Sequence, residues 1–154
     1  MFQYVIGDAT RPEGKGSKMI LHICNDIGGW GRGFVVALSA RWKKPEQEYL
    51  SWAARGENFA LGQVQFVPVE EEITVVNMVA QHDVVAQGGV PPIRYQALQQ
   101  CLESVAAQAK KENASIHMPR IGSGLAGGDW EKIERLVKQT LVDQGLSVTV
   151  YDLP

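Results

Sequence analysis

Residues 19–24, MILHIC, form an almost unbroken apolar run of strand length. A strand wetted on one face alternates polar and apolar residues, so a run without alternation has to be covered on both faces. The chain therefore needs a sheet whose central strand lies between two layers. Directly behind the run comes NDIGGWGRG, with glycines at 28, 29, 31 and 33, which is too glycine-rich for regular structure. FVVALSARW follows, with a helical pattern until Pro45 intervenes. The same order returns later: residues 115–121 read as a strand, 122–128 as a second glycine loop, and 129–144 as a helix. That helix has Trp130, Ile133, Leu136, Val137 and Leu141 on one side.

The remaining segments complete this scheme. Phe2 to Ile6 reads as a strand stopped by Gly7-Asp8. Pro45 opens a second helix that Gly56 closes. Residues 63–69 and 73–80 read as strands joined across Glu70-Glu71-Glu72, and Pro68 makes the first an edge strand. From Tyr95 to Asn113, Leu98, Cys101, Leu102, Val105 and Ala109 recur at helical spacing. Gly145 caps the helix before it, and residues 147–153 form a last strand. Roughly six strands interleaved with about four helices imply an α/β sandwich with a mostly parallel, partly mixed sheet. A length of 154 residues suits one domain spanning 1–154.

Charge and cysteines narrow the function. The net charge is -2, and the 15 lysines and arginines are scattered, which argues against a nucleic-acid partner. Cys24 and Cys101 lie far apart, with no CxxC and no Cys/His cluster, so neither a metal site nor a disulfide is expected. No stretch approaches the roughly 20 apolar residues of a membrane span, and the N-terminus lacks a leader pattern. The expected setting is the cytoplasm.

In open α/β sheets ligands collect outside the carboxyl ends of central strands. Both glycine loops fall there, and both lead into helices. Glycine lets backbone amides approach an anion, and a helix N-terminus adds partial positive charge. Two facing loops of this kind suit a diphosphate. Asp129 reads as the N-cap of the last helix.

VIGDAT at 5–10, LHICNDIGGWGRGF at 21–34, VVNMVAQ at 75–81, PPIRYQAL at 91–98 and HMPRIGSGLAGGDW at 117–130 resemble the successive blocks of a macrodomain. The blocks run over nearly the whole chain and are most similar to the branch that holds ADP-ribose 1″-phosphate phosphatases, terminal ADP-ribose glycohydrolases and readers attached to chromatin remodellers. The resemblance implies a three-layer α/β/α sandwich with a six-stranded mixed sheet and ADP-ribose across the strand ends. It implies that Asp8 accepts from the adenine amino group and Asn25 reaches the distal ribose. Gly28, Gly29, Gly31 and Gly33, with Ile121, Gly122, Ser123, Gly124, Leu125, Ala126 and Gly127, would contact the phosphates. The partner would be ADP-ribose or a derivative, or an ADP-ribosylated protein, and no further cofactor is implied.

For chemistry, His22 and Asp26 are the candidates. Histidine suits proton transfer near neutral pH, although in this run its side chain equally suits a hydrogen bond within the sheet. Asp26 suits a proton acceptor or a water-positioning group, or a residue that shapes its loop. Gln81, His82 and Asp83 follow the fourth strand toward the same cleft. Glycohydrolase members of the resembled branch use a lysine in the fourth-strand block and an aspartate after the second loop's Gly-Leu. Here VVNMVAQ has no lysine and Ala126 follows Leu125, which argues against a covalent lysine-to-sugar route. Hydrolysis of ADP-ribose 1″-phosphate or of an ADP-ribosyl ester remains, beside a reader that binds without chemistry.

Overall fold

In the computed structural model, which describes residues 1–154, the apolar run sits where its composition demands. It forms β2 (Lys18–Asn25), between β5 (Ser115–Met118) and β4 (Ile73–Gln81). The six-stranded sheet is completed by β1 (Phe2–Ile6), β3 (Val64–Glu70) and β6 (Val148–Asp152), in the order β1-β6-β5-β2-β4-β3. All neighbours run parallel except β3, which pairs antiparallel with β4 at the sheet's edge. Pro68 in β3 has no backbone donor, and an edge strand tolerates that loss.

Alternate residues of β2 enter different cores. Met19 and Leu21, with Val76, Met78 and Ala80 of β4, join a cluster of 24 buried residues under α3 (Tyr95–Glu112) and α4 (Trp130–Thr140). On the other face Ile20, Cys24, Val75 and Val79 meet Leu38, Tyr49 and Trp52 from α1 (Phe34–Arg41) and α2 (Lys44–Arg55). Each fully buried aliphatic side chain contributes about 1.5–3 kcal/mol relative to exposure, so loss of either helical layer would strand the central strand in water. No helix is long and apolar enough to cross a membrane.

Element ends shift from the expected ones for identifiable reasons. β5 stops at Met118 instead of continuing to Ile121, because Pro119 cannot donate to the ladder. The last helix ends at Thr140, and a separate 3-10 turn, Val142–Gln144, is closed by Gly145 at φ 88°. Pro45 and Gly56 take the expected places at the two ends of α2, and Asn113 closes α3 in the left-handed region at φ 53°. The parallel topology brings Asp8, Asp26, His82 and the loop after β5 to one end of the sheet.

Candidate functional site

The first glycine loop is built around one side chain. Asn25 Oδ1 accepts from the amides of Ile27 (3.1 Å) and Gly29 (2.9 Å), while its Nδ2 donates to the Gly29 carbonyl at 2.8 Å. Buried Tyr49 of α2 places its hydroxyl 2.7 Å from the Asn25 carbonyl oxygen and 2.9 Å from Oδ1. Burial pushes the ionisation of this phenol up, so it stays a neutral donor. A methyl group on Gly29 would stand 3.0 Å from Asn25 Nδ2, a tight contact that would press on this arrangement. The amide of Asn25 is thus engaged in folding its loop, and the residue is only 7% exposed. Tyr49 carried no signal in the sequence, because a helix pattern does not tell a buried aromatic anchor from a buried donor. Tyr49→Phe should lower stability by about 1–3 kcal/mol, read from the urea midpoint, and should speed hydrogen exchange at the Ile27 and Gly29 amides.

The second loop closes on itself at its neck. The Gly128 amide donates to the Gly122 carbonyl at 2.7 Å, the Gly127 amide to the Gly124 carbonyl at 3.0 Å, and Ala126 accepts from the Ile93 amide at 3.0 Å. Ser123 turns its hydroxyl to the Arg120 carbonyl at 2.8 Å. Asp129 caps α4 by accepting from the Glu131 amide at 3.0 Å, as its N-cap reading requires, and its own amide donates to the Tyr95 hydroxyl at 2.8 Å. Tyr95 therefore anchors the loop's far end.

What these turns leave over matters most. The amides of Trp30, Gly31, Arg32 and Gly33 in the first loop, and of Gly122, Gly124, Leu125 and Ala126 in the second, donate to no other group of the protein. The loops also face one another: a methyl group built on Gly33 would lie 3.8 Å from Leu125 Cδ1. Gly31, Gly33, Gly124, Leu125 and Gly127 are exposed. Unclaimed backbone donors on two opposed, solvent-facing bends, one of them entering α1, suit an anion.

Asp8 stands at the end of β1. Its Oδ1 accepts from the Thr10 amide (2.8 Å) and hydroxyl (2.7 Å), while Oδ2 has no protein partner. Arg41 of α1 donates to the Thr10 carbonyl at 3.1 Å, tying this turn to the layer that carries the first loop. One carboxylate oxygen is therefore fixed and the other is left as a free acceptor.

His22 is not at the site. Its imidazole is 2% exposed on the α1/α2 face, edge-on to Trp30 with centroids 5.3 Å apart. Its Nε2 lies 2.5 Å from Asn77 Oδ1, and Asn77 donates in turn to Gln65 Oε1 (3.0 Å) and the Pro45 carbonyl (3.2 Å). Burial lowers its ionisation to about 4, only partly opposed by the Asn77 hydrogen bond. This ring is a neutral tie between β2 and β4. It stands three residues before the strand's end, and alternation turns it under the first loop's own aromatics. His117 is likewise buried, between Ser115 Oγ and the Tyr151 hydroxyl at 2.8 Å each.

Asp26 does lie at the strand ends. Its Oδ2 is 2.7 Å from His82 Nδ1 and its Oδ1 accepts from the Asp83 amide at 2.8 Å. Both of its oxygens hold the segment that follows β4. Trp30 donates to Ser39 Oγ at 2.9 Å and Trp130 to the Tyr4 hydroxyl at 2.8 Å, so each indole N–H has a protein partner. No three His, Cys, Asp or Glu side chains converge as a metal site would need. Two open hollows lie elsewhere. One of about 690 Å³ runs along Trp52, Arg55, Asn58 and Gln65 beside the edge strand. Another of about 650 Å³ sits among Lys18, Glu70, Glu71 and Glu72 at the amino end of β2, opposite the loops. Neither holds the convergent amides.

Fold and loops together define an open-sheet α/β/α domain with its binding groups at the carboxyl ends of parallel strands. A solved macrodomain protein from Streptomyces coelicolor is 48% identical, with a TM-score of 0.88 and 99% of each chain covered. The chain belongs to the macrodomain family. In sequence it is 34% identical over 160 residues to a chromodomain-helicase-DNA-binding protein 1-like of Mus musculus, a match that takes in 98% of this chain but 18% of that protein. It is 26% identical to an ADP-ribose 1″-phosphate phosphatase of Candida glabrata, covering 88% of this chain and 90% of the relative. No family model matches the sequence.

Proposed function

We propose that this macrodomain binds ADP-ribose across the strand ends and hydrolyses a derivative of it, ADP-ribose 1″-phosphate or an ADP-ribosyl ester. The observation that carries the reading is the pair of opposed loops whose amides remain unclaimed. The sheet acts as a ruler for the ligand. Asp8 at β1 and the Asp26–His82 pair at β2 and β4 are three to four strand spacings apart in the sheet order, about 14–19 Å. The second glycine loop leaves β5, which stands between them in the sheet order, and the first leaves β2 directly after Asp26. That spread suits a nucleoside at one end, a diphosphate in the middle and a second sugar at the other end. The free Oδ2 of Asp8 would accept from the adenine amino group, and the loop amides would hold the diphosphate.

Relatives named as ADP-ribose 1″-phosphate phosphatases support the hydrolytic side of this reading. A second reading, a reader that binds ADP-ribose or an ADP-ribosylated protein unchanged, is favoured by Ala126, buried at 5% where a catalytic side chain would otherwise follow Leu125. Titration calorimetry with ADP-ribose tests the shared part. Asp8→Ala should weaken affinity about tenfold or more, and unchanged affinity would remove the adenine assignment. Release of phosphate or free ADP-ribose by the wild-type chain separates enzyme from reader.

A further inference from the structure

The diphosphate reading leaves one titratable constellation at the strand ends unused. Asp26 Oδ2 sits 2.7 Å from His82 Nδ1, while Asp26 Oδ1 accepts from the Asp83 amide at 2.8 Å. A carboxylate at Nδ1 fixes the proton on that nitrogen and leaves Nε2 as the lone-pair face of the ring. His82 Nε2 has no partner within the protein. The His82 side chain is 41% exposed against 17% for Asp26, whereas His22 and His117 are both buried. The backbone bends to achieve this. Asp83 takes φ 59°, a left-handed conformation that non-glycine residues seldom adopt. Asp26 and the Asp83 carboxylate, which accepts from the Val84 amide at 2.6 Å, hold it there.

The segment is fastened on both sides of the glycine cleft. Asp26 directly precedes the first loop, and at the other end of the segment a methyl group on Gly127 would meet Pro91 Cβ at 2.9 Å. Asp26 contacts the imidazole directly, and Asp83 and Arg94 are the charged residues on the segment that carries it. The Arg94 guanidinium donates to the carbonyls of Pro91, Pro92 and Ile93, and Pro92 also accepts from the His82 amide.

Resting on the ADP-ribose reading above, we propose that His82 is the general base at the distal ribose and that Asp26 positions it. Neutral Nε2 takes a proton from water as the water oxygen forms a bond to C1″. The C1″–O bond to the substituent breaks, and its electron pair leaves on that oxygen. The departing carboxylate or phosphate is a stable anion and needs no proton, and the imidazolium returns its proton to solvent. A single base therefore suffices, and the substrate class is 1″-O-linked: an acyl ester or a phosphate. A nitrogen-linked adduct, whose departing amine needs a proton donor, is not turned over.

The test uses the full chain with ADP-ribose 1″-phosphate, a peptide carrying ADP-ribose on glutamate, and a peptide carrying it on arginine. ADP-ribose affinity is measured alongside by calorimetry. His82→Gln should keep wild-type affinity and lose about 100-fold or more of O-linked hydrolysis, with one limb of the pH–rate profile gone. Asp26→Asn should reduce the rate and displace that limb, which a merely structural role would not do. If His82→Gln keeps the wild-type rate and profile, the base assignment is overturned while the binding reading stands. If the wild type binds ADP-ribose but hydrolyses neither O-linked substrate, or hydrolyses the arginine adduct equally well, it is overturned as well. Absence of ADP-ribose binding by the wild type would instead remove the underlying reading.

Discussion

Acidification through the range from pH 6.5 to about 4 will destabilise this domain progressively, although no ion pair is buried in it. The cause is two imidazoles held neutral inside the fold, His22 and His117, each with its ionisation lowered from 6.5 to about 4, chiefly by burial. The unfolded chain binds a proton at each histidine as pH falls through 6.5, while the folded chain resists until about 4. Between those values the unfolded state carries more protons, so stability rises with pH. Above 6.5 the rings are neutral in both states and cost nothing, and the penalty grows as pH drops toward the folded-state value. At about 1.4 kcal/mol per pH unit, each ring removes about 3 kcal/mol of stability over the full window, a large share of the 5–15 kcal/mol typical of a domain. Urea midpoints recorded from neutral pH down to pH 4 check this. His117→Asn should reduce the slope by roughly half, and a flat wild-type profile would mean the rings are not kept neutral.

The second large effect sits at the neck of the later glycine loop. A methyl group on Gly128 would stand 2.6 Å from the Gly122 carbonyl oxygen, 2.8 Å from Ile93 Cδ1 and 2.9 Å from Ile133 Cδ1. Backbone and two side chains of the main core block it together, and the carbonyl is the acceptor of Gly128's own amide. Gly128→Ala should therefore cost about 3 kcal/mol and spread the loop, weakening ADP-ribose binding with it. Gly124→Ala is the matched control, because nothing lies within 4 Å of a methyl group there. Equal stability and equal affinity in the two variants would show that the neck does not shape the loop.

Much of the fold was legible in advance because it depends on local chemistry. MILHIC announced a strand covered on both faces, Pro68 an edge, and Gly56, Asn113 and Gly145 the ends of helical segments, each through a conformational rule acting within a few residues. The two glycine loops were visible for the same reason, as was the cap at Asp129. The assignment of individual side chains fared differently. His22 and His82 look alike in sequence, each close to an asparagine or aspartate and each near a strand end. One proves to be a buried tie to Asn77 and the other an exposed ring on Asp26. Asn25, expected at the ligand, folds its own loop with help from Tyr49, 24 residues away.

Sequence alone determined the layered α/β class, the family likeness and where along the chain the backbone must bend tightly, since periodicity and glycine or proline geometry act at short range. Only the tertiary structure decided which titratable groups meet water and which partners they keep. That depends on strands distant in sequence being set side by side about 4.8 Å apart, where a shift of one residue turns a side chain from one face of the sheet to the other.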